Sequence, residues 1–176
     1  MKATIIVGGK EITVDVSEGR LKEIMGLSDK DFKRKRTGYE RVEKHDEYYQ
    51  VFANGCVDVY DEECCEYDND SYYVANYYSD EDVAKNNERA DKLMRRLRRF
   101  AVENRERDAD WCDITRTVFF ISYSHSLNKL IYTGYNGSTQ DYGGIYFDSL
   151  RAVESAMEMF REELIWYFTE YKDSAC

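Results

Sequence analysis

The chain contains no proline, and histidine occurs only twice in its 176 residues. No apolar run approaches the roughly 20 residues that cross a bilayer as a helix. The short apolar stretch at 3–7 is followed at once by charged residues and lacks the pattern of a signal peptide. The five cysteines are an odd number without the spacing of a disulfide framework. We therefore expect a protein of the reducing cytosol.

Motifs of known enzymes are also missing. Gly8-Gly9-Lys10 lacks the frame of a phosphate-binding P-loop and lies between two predicted strands. His45 and His125 lack the spacing of metal ligands, and no CxxC pair is present. We expect neither catalysis, nor a cofactor, nor a bound metal.

Acidic and tyrosine residues are abundant instead. With 35 Asp+Glu against 25 Lys+Arg, the formal net charge is −10, and there are 16 tyrosines. A buried tyrosine needs a partner for its hydroxyl, so we expect many tyrosines to lie half-buried on sheets. The charge repels nucleic acid overall and favours basic partners, among them proteins that bind nucleic acid.

The patterning predicts an α+β protein that begins with a small ββα unit over 1–27. Two β-branched runs flank the turn at Gly8-Gly9-Lys10, and Ser17 is placed to cap a helix over 18–25. A charged connector follows over 28–46. The rest of the chain is predicted to be two tandem βββα repeats with antiparallel sheets and a tyrosine-rich core.

The first predicted repeat covers 47–107 and the second covers 108–176. In the first, a hairpin turns at Asn54-Gly55 through a predicted type I′ turn, a third strand occupies 72–78, and Ser79 is predicted to cap a long helix. In the second, the strands lie at 118–123, 129–132 and 145–147, before a helix with apolar positions from Val153 to Tyr171. A shift of about 70 residues places Val83 on Val153, which indicates a duplication.

An acidic loop within the first repeat is the leading candidate site. Its seven carboxylates are those of Asp58, Asp61, Glu62, Glu63, Glu66, Asp68 and Asp70. A row of carboxylates can occupy a groove built for phosphates, and Asp80 to Asp82 would extend that contact. Two alternatives are a Ca²⁺ site, although the spacing is not that of an EF-hand, and a solvated loop that keeps the sheet soluble.

An arginine-rich helix is the second candidate site. Residues 85–107 carry a net charge of +5, and the basic residues at its centre are Lys92, Arg95, Arg96, Arg98 and Arg99. Like charges four residues apart repel along one helix face, so a compensating partner is expected. That partner is this protein's own acidic surface, a nucleic-acid phosphate or another protein.

The order of these elements resembles a group of small proteins carried by phages, prophages and mobile elements of Gram-positive bacteria. Several stretches between about 37 and 172 carry the likeness. They are Tyr48-Tyr49, Asn54-Gly55, Asn76-Tyr77-Tyr78-Ser79, Val83-Ala84, Trp111, Phe119-Phe120-Ile121-Ser122-Tyr123, Ile145-Tyr146-Phe147-Asp148-Ser149 and Val153. Some proteins of this group are anti-CRISPR inhibitors of Cas9 enzymes.

The resemblance implies an accessory protein of a mobile genetic element that acts in the bacterial cytosol. Its leading specific expectation is evasion of host defence by binding a Cas9-type effector, with or without guide RNA, and blocking DNA binding or cleavage. The alternatives are a regulator that binds nucleic acid or guide RNA through the arginine-rich helix, and a non-catalytic phage structural or scaffold protein. A homodimer is compatible with all three.

Overall fold

A computed structural model describes residues 2–7, 10–15, 17, 37–107, 113, 115–136, 140 and 143–171. The chain divides into two units, Met1–Thr37 and Gly38–Cys176. The first unit contains the predicted hairpin, with strand β1 (Lys2–Val7) antiparallel to strand β2 (Lys10–Asp15). The helix predicted over 18–25 and the connector up to residue 36 lie outside the described residues.

The second unit combines two antiparallel hairpins with helices, which confirms the α+β class. The first hairpin pairs β3 (Glu47–Val51) with β4 (Val57–Asp61), and the second pairs β5 (Thr117–Ser124) with β6 (Lys129–Asn136). The described helices are α1 (Glu66–Tyr73), α2 (Glu81–Glu103), α3 (Leu150–Met159) and α4 (Arg161–Thr169). None of these helices has both the length and the apolar character that crossing a membrane requires.

The first hairpin turns close to Asn54-Gly55, but the predicted type I′ turn is wrong. That turn needs a positive φ at both residues, whereas only Gly55 has one, and the Gly55 N–H donates to the Phe52 carbonyl at 2.8 Å, which places Ala53 and Asn54 at the centre of the turn. Gly55 has a φ of +86°, a backbone conformation that glycine adopts without strain. A Cβ atom at this position would lie 2.7 Å from Oε1 of Glu88 on α2. Glycine therefore permits both the tight turn and the close approach of the hairpin to α2.

In both predicted repeats, the predicted third strand is only an isolated β-bridge of one residue pair. Tyr78 exchanges two backbone hydrogen bonds of 2.8 and 2.9 Å with Tyr49, and Phe147 exchanges two of 2.8 Å with Phe119. The strand predicted over 72–78 is wrong at its start, because Tyr72 and Tyr73 form the last turn of α1. The hydrogen bonds of the Asp68 carboxylate to the backbone at the start of α1 outweigh the strand preference of the tyrosines.

The single helix predicted at the end of the second repeat is divided into two helices, α3 and α4. Phe160, with φ −108° and ψ 18°, separates α3 from α4. Its ring is 4% exposed and meets the ring of Phe100 edge-on, with 5.8 Å between centroids. The interruption leaves the phenylalanine ring inside the core, and the N–H of Phe160 still donates to the Ala156 carbonyl at 3.0 Å.

One apolar core joins the two predicted repeats of the second unit. Its buried members are Leu93, Leu97 and Phe100 of α2 together with Phe147, Ala152, Val153, Ala156, Phe160 and Leu164. Because α2 contributes three of these side chains, it packs against elements of the second predicted repeat as well as against its own hairpin. The other side of the first hairpin is filled by a polar network.

Candidate functional site

Glu62 of the predicted acidic loop lies inside the protein. Its side chain is fully buried and receives two hydrogen bonds from the Arg41 guanidinium, at 2.8 and 2.9 Å. The hydroxyl of Tyr77 donates to the same carboxylate at 2.7 Å, and the backbone N–H of Cys64 donates at 2.8 Å. The Arg41 hydrogen bonds lower the pKa of Glu62 below its usual value, against the opposing effect of burial.

Asp68 is the second internal carboxylate and is 3% exposed. It accepts hydrogen bonds from the hydroxyl of Tyr48 at 2.8 Å and from the backbone N–H groups of Glu63 and Cys65 at 2.9 and 3.0 Å. Burial raises its pKa, but these hydrogen bonds outweigh burial and lower the pKa to about 2. The carboxylate is therefore charged and fully engaged by this chain.

Tyrosine and glutamine side chains join both carboxylates into one buried network. The rings of Tyr48 and Tyr77 stack with 4.0 Å between centroids. The amide of Gln50 donates to Ser71 at 2.6 Å and to the Tyr48 hydroxyl at 3.2 Å, while Tyr67 donates to the Gln50 carbonyl at 2.7 Å. Burial raises the pKa of both Tyr48 and Tyr77, so their hydroxyls remain donors.

The predicted acidic loop is therefore a strand end, a short connection and a helix rather than one loop. Glu62 and Asp68 hold these elements together and are not part of the surface that a partner could meet. The other five predicted residues, Asp58, Asp61, Glu63, Glu66 and Asp70, are exposed. Among these five, Glu63 contacts His45, with 3.2 Å between Oε1 and Nδ1.

An acidic groove runs along the exposed side of the first hairpin beside the start of α2. It has a volume of about 320 Å³ and is lined by Glu47, Tyr49, Val57, Asp58, Val59 and Glu81. Three of these side chains are carboxylates, and Val59 remains 52% exposed. Sequence reasoning missed Glu47, although the hairpin register, which pairs residue 47 with Asp61, could have revealed it.

The electrostatics beside the acidic groove are unfavourable in the free protein, because Glu47, which lines the groove, is paired across the hairpin with Asp61, which is not one of the lining residues. Glu47 and Asp61 are directly opposite each other on neighbouring strands, and like charges in that position are destabilising. Neither carboxylate has an ion pair within the part of the chain that the structure describes. Glu81 is paired with the exposed Lys85 at 2.9 Å. An added cation would relieve the repulsion between Glu47 and Asp61.

The chemistry of the acidic groove suits an arginine or lysine side chain. The aliphatic stem of such a residue can pack against apolar surface, here Val57, Val59 and the Tyr49 ring. Its charged head can then form charge-assisted hydrogen bonds with the carboxylates at the rim. The groove therefore combines an apolar floor with carboxylates at its edge.

The basic residues of α2 divide into two groups. Arg89 is used inside the fold, because it bonds Glu163 at 2.8 Å and lies 3.9 Å above the Trp166 ring. Arg96 lies over Phe160 at 5.0 Å. The other predicted residues point to solvent and are Lys92, Arg95, Arg98 and Arg99.

These exposed cations are weakly engaged. Lys92 and Arg99 have only loose contacts with acidic residues of the same helix, at 3.9 Å to Glu88 and 3.8 Å to Glu103. Arg95 and Arg98 form no ion pair with any residue that the structure describes. Among the residues that the structure describes, the expected compensation by this protein's own acidic surface is thus limited to Arg89, the Lys85–Glu81 pair at the start of α2 and these two loose pairs.

Within the described ranges, no three His, Cys, Asp or Glu side chains come together in a way that could hold a metal ion. Cys56, Cys64 and Cys65 are exposed and form no disulfide.

Comparison with known proteins gave no relative. The chain matches no family model, no curated protein and no solved structure.

Proposed function

We propose that this protein is a non-catalytic inhibitor that captures a basic surface of a nucleic-acid-processing protein through the acidic groove. The observation that supports the proposal most directly is the unneutralised Glu47–Asp61 pair beside the exposed apolar floor of Val57 and Val59. A surface that carries its own repulsion gains most when a cationic partner binds. The partner to test first is a Cas9-type effector, as the sequence resemblance implies.

An RNA-guided nuclease offers the required chemistry. It holds nucleic acid in positively charged channels and reads its short recognition sequence with arginine side chains. An acidic protein that covers such arginines blocks DNA binding or the movement that permits cleavage. Attraction between opposite charges also accelerates the encounter at low salt.

The test adds the purified protein to effector–guide complexes from several species and follows DNA binding and DNA cutting separately. We expect loss of one or both activities at stoichiometric concentration with at least one effector. The Asp58→Lys variant should weaken inhibition at least tenfold. The matched Asp70→Lys variant changes the net charge equally on α1, outside the groove, and should inhibit nearly as well as the unmodified protein.

Two outcomes contradict the proposal. If no effector is affected, an RNA-guided nuclease is not the partner. If Asp58→Lys and Asp70→Lys weaken inhibition equally, overall charge rather than the acidic groove determines binding.

Nucleic-acid binding through α2 is a second candidate, because Arg95 and Arg98 are exposed and lack ion pairs among the described residues. It predicts retention of RNA or DNA in a mobility-shift assay, with affinity that falls steeply as salt rises. The double variant Arg95→Gln with Arg98→Gln should abolish retention. The control Lys44→Gln with Lys129→Gln removes the same charge from exposed positions elsewhere and should leave retention intact.

We also propose that the two hairpin-and-helix parts of the second unit are copies of one ancestral repeat. The bridging residues Tyr78 and Phe147 are 69 positions apart, as are the helix caps Asp80 and Ser149. The same shift aligns Ala84 with Val153, both fully buried. This spacing favours Ala84, rather than Val83, as the counterpart of Val153.

A further inference from the structure

An apolar cavity of about 180 Å³ lies between α2, β5, α4 and the segment 143–147. Its inner wall consists of core side chains, among them Leu93, Leu97 and Leu164, which are 2 to 4% exposed. Its mouth is formed by half-buried side chains, among them Met94, Phe120 and Tyr167. The cavity thus reaches from the shared core to the surface.

Within the described part of the chain, no charged side chain lines this cavity. The described lining consists of two glycines, two tyrosines and otherwise leucine, isoleucine, phenylalanine and methionine. A buried water needs two to four polar partners, and in the described lining only the two tyrosine hydroxyls and the backbone of 143–147 are polar. The lining therefore favours an apolar occupant over water.

Glycine at two neighbouring positions shapes one side of the mouth. Gly143 has a φ of +74°, and a Cβ atom at Gly144 would lie 2.6 Å from the Tyr146 hydroxyl oxygen. Glycine at 144 therefore lets the Tyr146 ring lie against the backbone of this segment while it lines the cavity. A larger residue there would displace the Tyr146 ring.

The size and walls of the cavity limit its ligand. Pockets for drug-sized ligands and cofactors range from about 300 to 1,000 Å³, so this cavity is too small for a nucleotide. A cavity of about 150 Å³ lined by leucine, isoleucine and phenylalanine binds benzene. Phe120, Phe147 and Phe168 present rings that can pack edge-on or offset against another aromatic ring.

We propose that this cavity is a binding site for a free, uncharged aromatic molecule of one or two rings. Its lining shares no residue with the acidic groove. The proposed ligand site and the proposed inhibitor function can therefore be tested independently of each other.

The experiment is a titration of the full-length protein with 5-fluoroindole, followed by fluorine NMR. We expect saturable one-to-one binding. Met94→Trp places a larger side chain at the mouth and should weaken binding at least tenfold. The matched control Met159→Trp makes the same substitution at a residue that is 63% exposed and outside the cavity, and it should leave binding unchanged.

Two further ligands test whether the cavity rejects a charged molecule and whether the bound ring belongs to a free molecule or to a protein side chain. Indole-3-acetate carries a negative charge that none of the described lining residues can pair, so it should bind at least tenfold more weakly than indole. N-acetyltryptophanamide imitates a tryptophan of a partner protein. If it binds more tightly than indole, the cavity receives a protein side chain and the proposal of a free ligand is wrong.

Absence of saturable binding, or equal weakening by both tryptophan variants, also overturns the proposal. Should Met94→Trp not fold, proton–carbon NMR of the unmodified protein decides instead. Shifts induced by indole must then concentrate on the methyl groups of Leu93, Leu97, Ile121 and Leu164. A diffuse pattern of shifts contradicts the assignment.

Discussion

At the residue scale, Glu62 and Glu63 show how neighbouring carboxylates acquire different roles. Glu62 is fully buried and bonded to Arg41, Tyr77 and the Cys64 backbone, whereas the Glu63 carboxylate is exposed and is 3.2 Å from the His45 ring. A buried charge is tolerated because all of its hydrogen-bonding capacity is used. The sequence shows only a run of acids here, since the buried position depends on Arg41, 21 residues earlier.

Replacing the two glutamates should separate these roles. Glu62→Gln removes the charge opposite Arg41 and should lower the free energy of unfolding by about 3 kcal/mol, because the arginine then loses its buried partner. Glu63→Gln should change it by less than about 0.5 kcal/mol, as is usual for an exposed site. Urea denaturation followed by circular dichroism measures both, and equal values would contradict the internal role of Glu62.

The lowered pKa of Asp68 predicts how stability depends on acid. Because the folded-state pKa is about 2, below the usual 3.8, the charged form stabilises the fold above about pH 4. That contribution is lost as the pH falls through 2, and Glu62 acts in the same direction. We therefore expect the melting temperature to fall steeply between pH 4 and pH 2.

Two asparagine variants test this origin of the acid sensitivity. Asp68→Asn should melt at a lower temperature at pH 7 and show a flatter dependence between pH 4 and pH 2. Asp70→Asn, at an exposed position on the same helix, should follow the unmodified protein. An unchanged slope in Asp68→Asn would show that other carboxylates govern the acid transition.

At the element scale, α2 connects the two halves of the second unit. Its buried face, including Leu93, Leu97 and Phe100, contributes to the shared core, and its opposite face carries the exposed arginines. The helical spacing of apolar residues made α2 predictable from sequence. The helix α1 was not predictable in this way, because only Asp68 and Ser71 are buried within it and both are polar.

The caps of α2 and α3 should contribute equally to stability. The cap of α2 is Asp80 and not the predicted Ser79, because it is the Asp80 side chain that accepts the Val83 N–H, at 3.0 Å. The Ser149 side chain accepts the Ala152 N–H at 3.3 Å. Asp80→Ala and Ser149→Ala should each lower the free energy of unfolding by about 1 kcal/mol. Asp82→Ala, within the first turn of α2, is the matched control with a smaller expected effect. A loss of Asp80→Ala no larger than that of the control would show that the cap does not matter.

At the scale of the whole molecule, the acidic residues behind the net charge of −10 lie both in the interior and on the surface. Some carboxylates are buried and stabilise the fold through hydrogen bonds with other parts of the chain. Others are exposed at or beside the acidic groove, where they repel one another. Composition and the hairpin pattern were enough to predict the α+β class and the paired hairpins. They could not separate buried from exposed acids, because that difference depends on contacts between residues distant in sequence.

The register of the first hairpin gives a prediction in which stability and binding change in opposite directions. Glu47→Lys places a cation opposite Asp61 and should raise the free energy of unfolding by about 0.5 kcal/mol, since it replaces repulsion by attraction. Glu43→Lys makes the same charge change at an exposed residue outside the groove and should leave stability nearly unchanged. Thermal and urea denaturation measure both variants, and a destabilised Glu47→Lys would show that the like-charge pair is not a source of strain.

Capture of a basic partner can be tested by measuring how tightly these two variants bind an effector–guide complex that the unmodified protein inhibits. We expect the dissociation constant to rise at least tenfold for the more stable Glu47→Lys variant and less than twofold for Glu43→Lys. Equal dissociation constants for the two variants would contradict capture of a basic partner by the acidic groove.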